Sequence, residues 1–157
     1  MRLKKSPRGW KKINFYSDKM KKTPLSKTAK ERTPSFYRKK AVEVAKLIAK
    51  HRDGYKCVNP KCGKSAELGY QMHGSHILNE GTHHRMSVEI ENIMCQCAQH
   101  HMDWHGNPLL QQWFEERFPN RKQTLLEQDR FLNLGYIKPD YKKILEKLKE
   151  EYKKIIN

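Results

Sequence analysis

The sequence predicts an α+β fold in which two short strands and a helix form a small metal-held core, with more helices around it and a basic arm in front. Three observations predict it. All four cysteines and most of the histidines crowd between Cys57 and His105. Inside that stretch two short segments keep no helical period, whereas the segments on either side repeat apolar residues at i, i+3 and i+4. The first forty residues carry fifteen Lys or Arg against only Asp18 and Glu31.

Residues 1–40 read as an extended arm, because Pro7, Pro24 and Pro34 interrupt it and its like charges repel. Trp10, Phe15, Tyr16, Phe36 and Tyr37 lie among those cations, a mixture suited to tracking phosphates, with partial docking on the core. Lys4, Lys5, Arg8, Lys11 and Lys12 are the candidate nucleic-acid contacts, joined by Arg85 further on. From Ser35 to His51 an apolar stripe of Ala41, Val42, Val44, Ala45, Leu47, Ile48 and Ala49 predicts a helix, which Asp53-Gly54 ends.

Ala66 to Ile77 reads as a strand, Leu78 to Ser87 as a polar hairpin loop, and Val88 to Cys97 as the returning strand. A helix is expected to start near His100. Pro108 fits the first turn of another, through Leu109, Leu110, Trp113, Phe114 and Phe118. A shorter one is expected over Lys122 to Leu132. After Pro139-Asp140, the residues Tyr141, Ile144, Leu145, Leu148, Tyr152, Ile155 and Ile156 share one helical face. That face must be buried on this domain or on a second copy, which leaves a homodimer through the last helix open. The expected organisation is an arm over 1–40, a metal-held domain with its preceding helix over 41–120, and a helical extension over 121–157.

Cys57 and Cys62 form one knuckle and Cys97 with His100 another, together the four N/S ligands of a closed tetrahedral zinc site. Cys95 and His101 adjoin that set, but the two-residue gap between Cys97 and His100 lets one tight turn aim both at a single ion. Cys95 is then a buried thiol on the strand. The N-terminus is basic without an apolar core segment, so no secretory signal is read, and clustered cysteines point to metal rather than disulfides.

A second, working metal is suggested by the remaining histidines. His101 and His105 stand at i, i+4, so a helix puts them on one face where they can grip a cation and leave positions free for water and a phosphate oxygen. His76, between the knuckles, is the candidate base, since imidazole titrates near neutrality. His51, His83 and His84 are taken as solvated or hydrogen-bonded.

The order His76, Asn92, His101 between two zinc knuckles resembles the HNH endonucleases of the ββα-metal, or His-Me finger, superfamily, over about residues 55 to 107. His73-Gly74-Ser75-His76, Glu91-Asn92 and Gln96-Cys97 look like a segment of the phage NinG recombination proteins, and His101-x3-His105 like the pair of the colicin DNases. The resemblance implies metal-dependent hydrolysis of DNA, double-stranded or branched, in phage DNA processing or recombination within the cytoplasm of a bacterial host. It makes His76 the base, has Asn92 hold the hairpin loop, and makes His101 and His105 the ligands of a divalent ion: magnesium, manganese, nickel or zinc. Many members have a further ligand directly before the base. Here that residue is Ser75, a weak ligand, so His73 or water is the alternative, and strand parity alone does not choose.

Composition bounds the rest. A chain of 157 residues with a net charge of +16 suits one domain with appendages and a polyanionic partner. Hydrophobic residues are 36% of it, which fits a small core helped by metal, and no run reaches the length of a membrane span. A zinc module that holds DNA or RNA without cutting it, and a ribonuclease, are the rival readings.

Overall fold

The computed structural model describes residues 32–106, 111–135 and 138–157. They form helices and one two-stranded antiparallel sheet, an α+β arrangement. No helix among the described residues is long and apolar enough to cross a membrane.

Helix α1 runs over Pro34–Arg52. Proline at its first position has the φ a helix needs, and the Thr33 hydroxyl accepts from the Phe36 N–H at 3.4 Å. Residues 34–40 therefore belong to the folded helix, which corrects the arm boundary expected at 40. At the other end Gly54 and Tyr55 take φ of 61° and 53°, and their N–H groups return to the carbonyls of His51 and Lys50. The small residues Ala41, Ala45 and Ala49 are wholly buried, which lets other elements pack close to α1.

Strands β1 (Met72–His76) and β2 (Ile93–Cys97) pair in unbroken register from Met72↔Cys97 to His76↔Ile93. Both are shorter than expected. Residues before Met72 fold back as turns, with a single bridge between Lys56 and Ser65. The chain between His84 and Asn92 closes into two 3-10 turns, whose i→i+3 bonds include Glu89 N–H to Met86 O and Asn92 N–H to Glu89 O. Gly74 makes no bulge. A Cβ there would stand 2.7 Å from Lys46 Cγ and 3.2 Å from Lys46 Cα, so glycine is required because α1 lies directly on the sheet.

Helix α2 (Ala98–Gly106) leaves β2 without a linker, two residues earlier than expected. Helix α3 (Gln112–Arg117) covers the described part of the segment expected after Pro108, while Pro108, Leu109 and Leu110 lie outside the described residues. Helices α4 (Arg121–Leu134) and α5 (Tyr141–Ile156) complete the chain.

The apolar side chains gather in three places. Leu145 and Leu148 of α5 pack with the α1 stripe, Val88 and Ile93, joined by Tyr141, Ile144, Tyr152 and Ile155. The amphipathic face of α5 is thus buried on this domain, and the second copy kept open by the sequence is not needed to cover it. Ile77, Leu78, Met86, Met94, Trp104, Phe114 and Leu125 form the second core, and Cys57, Met72, Cys95 and Cys97 the third. Because α4 and α5 supply Leu125, Leu145 and Leu148 to these cores, residues 121–157 are part of the compact unit Arg32–Asn157, not an appendage to it.

Candidate functional site

The first knuckle is shaped by its own backbone. Cys62 N–H donates to Asn59 O at 2.9 Å, Lys61 N–H to the Asn59 side chain at 3.1 Å, and Cys57 N–H to Lys64 O at 3.0 Å. A bond from Val58 N–H to Cys95 O at 2.9 Å lays this turn against β2. Cys97 ends β2 and His100 lies in the first turn of α2, so the strand-to-helix junction presents the other two side chains. The ligand atoms of Cys57, Cys62, Cys97 and His100 all lie within 4.8 Å of one another.

The edges of that group can be compared with those of a loaded site. His100 Nδ1 is 3.3 Å from Cys57 Sγ and 3.4 Å from Cys97 Sγ, and the sulfurs of Cys62 and Cys97 are 4.0 Å apart. Metal–sulfur bonds of about 2.3 Å and metal–nitrogen bonds of about 2.0–2.1 Å at tetrahedral angles give S···N edges of about 3.6 Å and S···S edges of about 3.8 Å. The four side chains therefore fit a tetrahedral ion such as zinc. Burial pushes the Cys57 thiol up to about 12, so the ion must displace a proton the site otherwise keeps. Cys95 stands apart from the group as a fully buried thiol, also pushed up to about 12 by burial and then by Asp53, whose carboxylate accepts from the Cys95 N–H at 2.8 Å.

His76 closes β1 and is 5% exposed. Its Nε2 is 3.0 Å from the carbonyl of Ser87. A carbonyl only accepts, so Nε2 carries the hydrogen and the neutral ring keeps its lone pair on Nδ1. Burial lowers the pKa of His76, and Lys46 and His105 push the same way against the Ser87 bond and Glu80. The ring is thereby held neutral, as a proton acceptor must be. Trp104, the residue between His101 and His105, donates its indole N–H to His76 O at 3.0 Å and ties α2 to the end of β1.

Asn92 is wholly buried at the far side of the loop. Its Oδ1 accepts from Leu78 N–H at 2.8 Å, and its Nδ2 donates to Met86 O at 2.9 Å and Leu78 O at 3.3 Å. One side chain so ties Leu78 to Met86, the residue before the Ser87 carbonyl that meets the His76 ring.

His101 and His105 share a face of α2, with ring centres 5.2 Å apart. His73 of β1 joins them, its ring centre 5.3 Å from that of His101. The His101 ring is thus in contact with both of the others. Burial, then His105, His73, Lys46 and His76, push the pKa of His101 down to about 4, so one ring nitrogen keeps its lone pair at neutral pH. Among the described residues, however, only the Cys57, Cys62, Cys97 and His100 group has three or more ligand atoms gathered within 4.8 Å.

Other expected contacts fall elsewhere. Arg85 donates to the carbonyl of Leu132 near the end of α4. Lys4, Lys5, Arg8, Lys11 and Lys12 lie outside the described residues. Sequence reasoning did not find Glu80, whose carboxylate is 3.8 Å from His76 Nδ1 and is held by Arg38 of α1 at 3.0 Å. Nor did it find Lys46 beside the sheet, or the 2.7 Å pair of His83 with Asp129 of α4. Arg38, Lys46 and Asp129 come from distant parts of the chain, while Glu80 lies only four residues after His76. Comparison with protein-family models, with curated proteins and with solved structures finds no match to this chain.

Proposed function

We propose that the chain is a metal-dependent endonuclease of the HNH, ββα-metal class, hydrolysing DNA phosphodiester bonds around a core stapled by zinc at Cys57, Cys62, Cys97 and His100. The observation that carries this reading is the state of His76: a buried imidazole with Nε2 tied to Ser87 O and its Nδ1 left as an acceptor, with the charge of His105 on α2 reaching it.

In this reading His76 Nδ1 takes a proton from the water that attacks the phosphorus, and Asn92 keeps the ring aligned by holding the loop at Leu78 and Met86. His101 and His105 hold a divalent ion, which when bound supplies Lewis acidity at the phosphate. Lys46 adds fixed positive charge beside the histidines, favourable to a polyanion. Lys4, Lys5, Arg8, Lys11 and Lys12 supply the sequence-independent attraction to the backbone. The segment similar to NinG supports DNA processed during phage recombination, including branched forms, in a bacterial host's cytoplasm.

One observation favours a second reading: only the cysteine-rich group is gathered as tightly as a metal site requires, which a zinc module that holds DNA or RNA without cutting it would also show. Nicking of supercoiled plasmid separates the two. With magnesium, manganese, nickel or zinc supplied in turn, the wild-type protein is expected to cut, and His76→Ala to lose about 10²–10⁴-fold in rate while binding is retained. Absence of cutting under every ion, on DNA and RNA alike, leaves the binding module.

A further inference from the structure

We infer that the cleft between the first knuckle and the end of α3 holds an unpaired stretch of nucleic acid, with a base stacked on Tyr70 and phosphates at Lys56, Lys64 and Arg117. This rests on the reading of a nucleic-acid partner, which the nuclease and the binding module share, and not on cleavage.

The cleft has a volume of about 660 Å³, and among the described residues no histidine lines it. One wall is the knuckle, from Lys56 to Leu68, and the other is Arg117 with Phe118 at the end of α3. Between Ser65 and Tyr70 the chain doubles back. Leu68 N–H donates to Ser65 O at 3.2 Å, Gly69 N–H to Ala66 O at 3.0 Å and Tyr70 N–H to Ser65 O at 3.2 Å, with Gly69 at φ 83°. That turn leaves Leu68 66% and Tyr70 47% exposed.

The charge at the cleft is mostly positive. Lys56, Lys64 and Arg117 line it, and among the described residues none of them is paired with a carboxylate. Lys64 Nζ lies 5.4 Å from the centre of the Tyr70 ring, and the Arg117 guanidinium 5.9 Å from that of Phe118. Both cations rest on aromatic rings, which leaves their charge available to an anion. Two carboxylates oppose them. Asp53 is engaged by Arg52 at 2.8 Å and by the Cys95 N–H at 2.8 Å, so Glu67 stands against three cations.

Cations interleaved with aromatic rings suit a single strand, whose phosphates follow the charge while its uncovered bases stack on the rings. A duplex base is already covered on both faces, so Tyr70 adds nothing to double-stranded binding. An acidic peptide can use the cations but has no flat π-face for the ring. A cavity of this volume takes a nucleotide, and a base enters it only out of the stack.

Fluorescence anisotropy of the full-length chain tests this, in the His76→Ala background with stoichiometric zinc and no other divalent ion. The probes are a labelled oligothymidylate of about 20 nucleotides and a duplex of that length. Tyr70→Ala should weaken single-strand binding about fivefold or more and leave duplex binding unchanged. Lys64→Ala and Arg117→Ala should each flatten the salt dependence on the single strand by about 0.7 in log–log slope. Lys142→Ala, which removes an exposed cation of α5 outside the cleft, should not distinguish the two nucleic acids. None of these side chains is buried, so every variant should melt with the background.

Unchanged single-strand binding in Tyr70→Ala, or equal losses on single strand and duplex, overturns the assignment and leaves the nucleic-acid partner in place. Polyglutamate that displaces the oligothymidylate and itself loses affinity in Tyr70→Ala overturns it in favour of an acidic peptide. A chain that shows the Tyr70 dependence, and in its wild-type form cuts nothing under any ion, ends the nuclease reading and leaves this one standing. Binding to neither nucleic acid ends both.

Discussion

Replacing Asn92 with alanine removes the clamp on the hairpin loop, and its cost can be worked from the bonds it makes. The bonds at 2.8 Å to Leu78 N–H and 2.9 Å to Met86 O are well made, and the third, to Leu78 O at 3.3 Å, is weaker. Two good hydrogen bonds contribute about 0.5–1.5 kcal/mol each, and leaving the buried Leu78 N–H without an acceptor adds about 1–3 kcal/mol. The expected loss is therefore about 2–6 kcal/mol, a large part of the roughly 5–15 kcal/mol that holds a domain of this kind. With a urea slope of about 2 kcal/mol/M the midpoint should fall by about 2 M. The measurement needs a fixed zinc concentration, because bound metal shifts the midpoint by itself.

Asn92→Asp is the companion variant. It keeps the acceptor for Leu78 but turns a carboxylate oxygen towards two carbonyls. Its ionised form is disfavoured, so its folded pKa lies above the unfolded value of about 3.9. Stability is then present below that value and lost as pH rises through the folded pKa, and the variant should be weaker at pH 8 than at pH 5. A cost below about 1 kcal/mol for Asn92→Ala would refute the clamp.

Four further outcomes are expected. Gly74→Ala should cost about 1–3 kcal/mol in urea unfolding, because its Cβ would meet the Lys46 backbone at 3.2 Å, whereas Gly63→Ala, with nothing within 4 Å, should be close to neutral. Stripping metal with a chelator should abolish the cooperative thermal transition and zinc should restore it, while Cys62→Ser should need far more zinc to recover; an unchanged melt in chelator would remove the staple. If His76 is the base, the rate of cleavage should rise with pH through a midpoint below 6.5, since burial first and Lys46 and His105 after it lower its pKa. Glu80→Gln, which removes an opposing charge, should move that limb lower still. Deleting residues 1–31, which leaves Thr33 to cap α1, should flatten the salt dependence of DNA binding by about 0.9 in log–log slope for each phosphate the arm no longer neutralises, and an identical slope would clear the arm of touching DNA.

Much of the cysteine-rich group was legible in the sequence because each knuckle is local. Cys57 and Cys62 are joined by one turn, and Cys97 and His100 by one strand-to-helix junction, so spacing alone limits how far apart their side chains can point. The helices were legible for the same reason, since a stripe at i, i+3 and i+4 is a property of neighbouring residues. Strand ends were not. The segments before Met72 and after Val88 keep no helical period and so pass for extended chain, but turns and 3-10 bonds claim their backbone.

By itself, then, the sequence determined which residues could bind metal, where the helices run and that the chain carries the charge to attract a polyanion, since these follow from chemistry and periodicity along the chain. Only the tertiary structure decided that α5 covers α1, that Gly74 must be glycine beneath Lys46, that Glu80 and Ser87 O flank the His76 ring, and that His73 faces His101. Three of those facts depend on distances between segments far apart in sequence, and the contacts of Glu80 and Ser87 with His76 depend on how the loop after β1 folds back, which no local pattern encodes.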